Sequence, residues 1–178
     1  MPRRFHAAEQ MLPPATALKR AMAIISDGLI SIAVLLVATW IYTMIAGWIT
    51  GWDKYEQMAE AGQLSGDPGL TFVLFLVLYL FFAYFWTRIG QTLGMQVWRV
   101  RIENLDGTSV SWTQALFRYG TASAVVFLTM LASHYIGTVT LLISVPAIIA
   151  LFYPINGLSL TDRASNSVVV QVEKAAKK

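Results

Sequence analysis

Arg20, Asp27, Arg118 and Asp162 are charges set in or beside apolar runs, where a charge has to be accounted for. Arg20 and Asp27 share the stretch LKRAMAIISDGLISIAVLLVATWIYTMIAGWI, residues 18–49, and from Ala21 onward Asp27 is its one charged residue. A carboxylate inside a bilayer costs at least about 2.5 kcal/mol on insertion scales, so it requires a counter-charge, water or a proton. Two chemistries meet that requirement. Asp27 can carry a proton or a small cation, or it can form a structural pair with Arg20 or Arg118. Arg20 lies one stretch of seven residues earlier. That puts both on nearly one helix face but roughly 10 Å apart along the axis, too far for direct contact. Arg118 opens a later apolar run and either snorkels to phosphates or pairs with Asp27 or Asp162. Asp162 follows the last apolar run and is either a solvated turn residue or a clamp that accepts from Arg20. Uncompensated charge in a low-dielectric region costs several kcal/mol. At least two opposite-charge pairs are therefore expected among the four residues, Arg20 with Asp162 first.

Other residues carry less chemistry. Gly90, Thr92 and Gly94 fall in the run GQTLG, at the boundary of an apolar segment. There they read as turn or close-packing positions. No Lys-Ser/Thr follows, so the run is not a phosphate loop. The chain has no cysteine, and His6 and His134 are far apart in sequence. No metal site or cofactor is expected. No nucleophile stands beside a base, and His134 is expected on the opposite side of the membrane from the Asp and Arg set. Catalytic residues, and hence an enzyme, are not expected. The net charge of +3 is small for a nucleic-acid binder, and no nucleic-acid partner is expected.

The elements that must position these residues are apolar helices. Hydrophobic residues make up 56% of the chain and charged residues only 13%, against about 25% charged in soluble domains. A helix of roughly 20 apolar residues crosses a hydrocarbon core of about 30 Å. Four such spans are expected, at residues 17–49, 69–87, 113–135 and 139–158. Residues 1–16 read as a flexible tail, 17–172 as one transmembrane domain and 173–178 as a basic tail. Between the second and third spans, VWRVRIE alternates apolar and charged residues with period 2. Asn104 to Gly107 supplies turn chemistry. Val97–Ile102 is thus expected to pair with Thr108–Trp112 as a small β-hairpin, with Ser167–Val172 as a candidate third strand. The fold class expected is an all-α membrane protein of four transmembrane helices with a small cytoplasmic β-hairpin element.

Charge sets the orientation. Residues 1–20 carry net +3, residues 88–118 net +2 and residues 160–178 net +2, while the loop at 50–68 carries −3. Lys and Arg gather on the cytoplasmic side of membrane proteins. Both termini and the β element are therefore expected in the cytoplasm, and Glu56 outside it.

Three patches taken together resemble the RDD family of bacterial membrane proteins. Leu18-Lys19-Arg20-Ala21 followed by Asp27 is similar to the family's arginine at the start of the first span and aspartate within it. Gly90-Gln91-Thr92-Leu93-Gly94, then Val97, Val100, Asp106-Gly107 and Ala115-Leu116-Phe117-Arg118-Tyr119, is similar to its GxTxG segment, strand and Leu-x-Arg helix start. Met95 stands where a basic residue is common. Thr161-Asp162-Arg163 ahead of Val168-Val169-Val170 is similar to the second aspartate and closing strand. The resemblance implies the bacterial inner membrane and a transport role, including sodium–proton exchange for some members. Two function classes stay open: a small cation or proton transporter, or a non-transporting accessory or lipid-organising protein that scaffolds a larger complex. Expected partners are membrane lipids, a monovalent cation or proton, and further copies or a larger membrane complex.

Overall fold

The computed structural model describes residues 3–6, 12–137 and 151–172. Most of them are helical. Helix α1 spans Ala17–Thr50, α2 Trp52–Glu60, α3 Pro68–Arg88, α4 Leu93–Val97, α5 Trp112–Ile136 and α6 Leu160–Ala164. Strands β1, Val100–Glu103, and β2, Val168–Gln171, make one small sheet. Among the described residues, three helices are long and apolar enough to cross a membrane: α1, α3 and residues 112–133 of α5. Their large apolar side chains point outward, with Leu29 68% exposed, Phe72 65% and Phe127 65%. In water such surfaces would associate. In hydrocarbon they need no cover, and each helix satisfies its own backbone groups.

The expected fourth span, 139–158, lies largely outside the described residues. Of its described end, residues 151–152 are helical. Ile155 and Leu158 close a turn by exchanging backbone hydrogen bonds of 3.0 and 3.2 Å. Asn156 (φ 55°) and Gly157 (φ 83°) sit at its centre. An Asn-Gly pair suits two successive left-handed residues, so the helix ends before Leu158.

The chain divides into two compact units. Residues 28–81 hold most of α1, all of α2 and the first part of α3. Here the Tyr42 hydroxyl donates to Asp67 Oδ2 at 2.7 Å, and Asp67 Oδ1 accepts from the Gly69 amide at 2.8 Å. Those bonds hold the Asp67 carboxyl below the usual carboxylate range.

The other unit contains the start of α1, the end of α3 and everything after it. Its core gathers Ala15, Ala23, Met95, Val100, Ile102, Val110 and Val169, with Trp86 and Trp98 packed against it. Each buried Val or Ile contributes about 1.5–3 kcal/mol. β1 pairs with β2 in antiparallel register, from Val100 opposite Gln171 to Glu103 opposite Val168. The expected hairpin of Val97–Ile102 with Thr108–Trp112 is not formed. Val97 ends α4, and Arg99 turns the chain through a left-handed φ of 53° into β1. The return leg is diverted by side chains. Asp106 Oδ1 accepts from the Thr108 amide and hydroxyl, and Ser111 caps α5 in a reciprocal capping box with Gln114. The β-branched run Val168–Val170 supplies the ladder instead.

Residues 3–6 and 12–16 are not a free tail. The Ala15 amide donates to Val169 O (2.9 Å) and the Gln171 amide to Pro13 O (2.8 Å), which covers the outer edge of β2. Further out, the Phe5 amide donates to Gly107 O and the Ser109 amide to Arg3 O. The tail at 173–178 lies outside the described residues.

Candidate functional site

Arg20, Arg118 and Asp162 converge. Asp162 is at the third position of α6, where its carboxylate accepts from the Ser159 amide at 3.0 Å in a capping box. Arg20 Nη1 donates to its Oδ2 at 2.5 Å and Arg118 Nη1 to its Oδ1 at 2.6 Å. The three residues are 5%, 8% and 1% exposed. Arg20 does more than neutralise. Its Nε donates to Ala15 O at 3.1 Å, and its Nη2 to Gly157 O at 3.0 Å and Val169 O at 3.2 Å. One planar fork therefore ties the start of α1 to α6, to the 155–158 turn and to β2. A lysine could not match this, having one nitrogen in place of three. Arg118 Nη1 also donates to Ser167 Oγ at 3.1 Å, and its guanidinium lies 5.9 Å from the Trp86 ring centroid. Burial alone would push the Asp162 carboxyl up. Arg118 and then Arg20 outweigh it, so the group is held below the usual carboxylate range.

Asp27 is held by other means. It is 7% exposed and belongs to the same unit. Thr92 Oγ1 donates to its Oδ2, and the Gly94 amide donates to its Oδ1 at 2.9 Å. Among the described residues no Lys, Arg or His stands within 4.0 Å of it. Neither Arg20 nor Arg118, the two candidate partners from sequence, is bonded to it.

Gly90, Thr92 and Gly94 make that arrangement. Thr92 caps α4 by accepting from the Met95 amide. A Cβ on Gly94 would lie 2.7 Å from Ala23 O and from Asp27 Oδ1, so a side chain there would push α4 off α1. Gly90 has φ +75°, and its carbonyl accepts from the Ile102 amide at 2.7 Å. Beside Asp27, the Trp98 indole donates to Ser26 Oγ at 3.1 Å. Both ends of α4 are thus pinned to consecutive residues of α1. The sequence reading missed the supports of the triad, Ser159, Ser167 and the Gly157 carbonyl. Ser159-x-x-Asp162 is a legible capping signal and Asn156-Gly157 a legible turn signal. Ser167 carries no such signal.

Among the described residues there is no group of three or more acidic or histidine side chains that could hold a metal ion. Apolar helices of membrane-spanning length, joined to a polar layer built on an Arg–Asp–Arg triad, define a membrane protein with a buried charge cluster at the starts of α1 and α5. The chain belongs to the RDD family, which it matches over residues 14–166. Comparison with curated proteins and with solved structures gives no match.

Proposed function

We propose that the chain is a four-span protein of the bacterial inner membrane, with both termini in the cytoplasm, that moves a proton or a small monovalent cation using Asp27. The observation that supports this reading is the unequal treatment of the two aspartates. Asp162 is saturated by two guanidinium groups and an amide. Its charge is fixed by structure. Asp27 is buried in an apolar helix with neutral donors and no cationic partner among the described residues. A carboxylate so placed has its charge balanced by something that comes and goes, which is what a carrier requires. Four spans leave little room for a pathway, so the reading includes assembly with further copies or a larger membrane complex. It assigns no catalytic residue.

The test is ion and proton flux in proteoliposomes of the purified full chain, compared with Asp27→Asn. Flux should be lost in the variant while the fold persists. Unchanged flux in Asp27→Asn removes Asp27 as the carrier. The saturated triad favours the second reading, a non-transporting accessory or lipid-organising protein, in which these charges serve architecture alone; no flux in the parent protein would select it. Topology is checked separately by accessibility labelling of single cysteines at Asp106, expected in the cytoplasm, and at Glu56, expected outside. Labelling of position 106 from outside would overturn the four-span arrangement.

A further inference from the structure

We propose that Thr92 is the positioning residue through which proton occupancy of Asp27 moves α4. The inference rests on the reading that Asp27 exchanges a proton, and it names the element that responds. Thr92 is fully buried, and its one hydroxyl serves two partners. It donates to Asp27 Oδ2 and accepts from the Met95 amide at 3.3 Å as the cap of α4. The Gly94 amide fills Asp27 Oδ1 at 2.9 Å. Each carboxylate oxygen thus receives a hydrogen, an arrangement that fits the ionised form.

Adding a proton breaks this pattern. On Oδ2, the new O–H and the Thr92 O–H would point at each other along one line. The Asp27 hydrogen then goes to Thr92 Oγ1, and the threonine hydrogen rotates away. Asp27 is its one hydrogen-bond acceptor among the described residues, and a buried donor without an acceptor bears its full desolvation cost. The Gly94 amide keeps its bond to Oδ1, which as the carbonyl oxygen of the acid still accepts. No covalent bond other than the new O–H forms or breaks. Protonation of Oδ2 therefore leaves the Thr92 hydrogen without its acceptor and weakens the hold of the first turn of α4 on α1. α4 is five residues long, with Met95 its one buried side chain larger than glycine. Its other tie, from Trp98 to Ser26, lies next to Asp27 in sequence. A five-residue helix has few bonds of its own, and the proton alters one of those that tie it to α1.

The chain lacks cysteine, so a spin label on Gln96→Cys, an exposed α4 position, reports this element alone. In full-length protein in lipid nanodiscs, the label's mobility should change with pH. Asp27→Asn, whose amide donates permanently to Thr92, should show the low-pH mobility at every pH. Thr92→Val should lose the pH-dependent change and Thr92→Ser should keep it. A Thr92→Val protein that responds as its parent does overturns the proposal. So does an Asp27→Asn protein with the parent's high-pH mobility. Should Thr92→Val not fold, Thr92→Ser and Asp27→Asn decide by themselves. Proton flux in the same proteins keeps the two readings apart. Flux lost in Asp27→Asn with a label that never responds sinks the α4 coupling and leaves transport standing. A responsive label with flux unaffected by Asp27→Asn upholds the coupling and removes Asp27 as the carrier.

Discussion

Asp162→Asn should be the most damaging single change in the polar layer. The substitution preserves size but removes the one negative charge between two buried guanidinium groups. It also sets an amide NH2 against an arginine N–H on one side. Removing one partner of a buried pair costs about 3–5 kcal/mol, because the other charge is left uncompensated. For a chain of this size a kcal/mol corresponds to about 2–4 °C in the unfolding midpoint. The expected loss is therefore about 6–20 °C. The assay is thermal unfolding of the full chain in detergent micelles, followed by circular dichroism. The geometry also ranks the neighbours. Arg118→Gln loses bonds to Asp162 and Ser167 but leaves Arg20 and Asp162 as a neutral pair, so it should cost less. Arg20→Gln loses its links to Ala15, Gly157, Val169 and Asp162 and should fall between them. Adding Arg118→Gln to Asp162→Asn should recover part of the loss by removing one orphaned cation. The reasoning fails if Asp162→Asn costs less than about 1 kcal/mol, the range of an exposed ion pair. It also fails if Asp162→Asn is no worse than Arg118→Gln.

Three further outcomes are expected. Asp27→Asn and Arg118→Gln share no hydrogen bond or ion pair, so their stability effects should add within about 0.5 kcal/mol in a double-mutant cycle; a larger coupling would show a link that the geometry lacks. Gly94→Ala should destabilise by about 1–3 kcal/mol through overpacking, since its Cβ would meet Ala23 O and Asp27 Oδ1 at 2.7 Å; a neutral result in chemical denaturation would mean that α4 yields freely. The polar layer should weaken in acid. Because the Asp162 carboxyl is held below its unfolded value, the stability it confers is complete above about pH 4 and fades as pH falls through the lowered folded value. Asp162→Asn should flatten that part of a stability–pH profile, and an unchanged acid limb would contradict the assignment.

Much of the architecture follows from the sequence alone, because hydrocarbon leaves few choices. A long apolar run has to be a helix, since in a bilayer each backbone group must be satisfied within the segment. The expected spans 17–49, 69–87 and 113–135 thus meet the helices Ala17–Thr50, Pro68–Arg88 and Trp112–Ile136 within a residue or two. The pairing of Arg20 with Asp162 follows from charge balance, which is also visible in sequence. Tertiary structure decided what chemistry of one segment could not. Asp27 finds Thr92 and Gly94, 65 and 67 residues away. Neither carries a charge, so no charge pattern announces them. What qualifies them is a hydroxyl and an amide brought close by a glycine with no side chain to intervene. The strand VRIE could pair with either of two segments. The choice fell to Val168–Gln171 because Asp106 and Ser111 spend the backbone after the turn on a loop and a helix cap. A ladder needs two free edges, and which edges stay free is settled only once the helices have been placed.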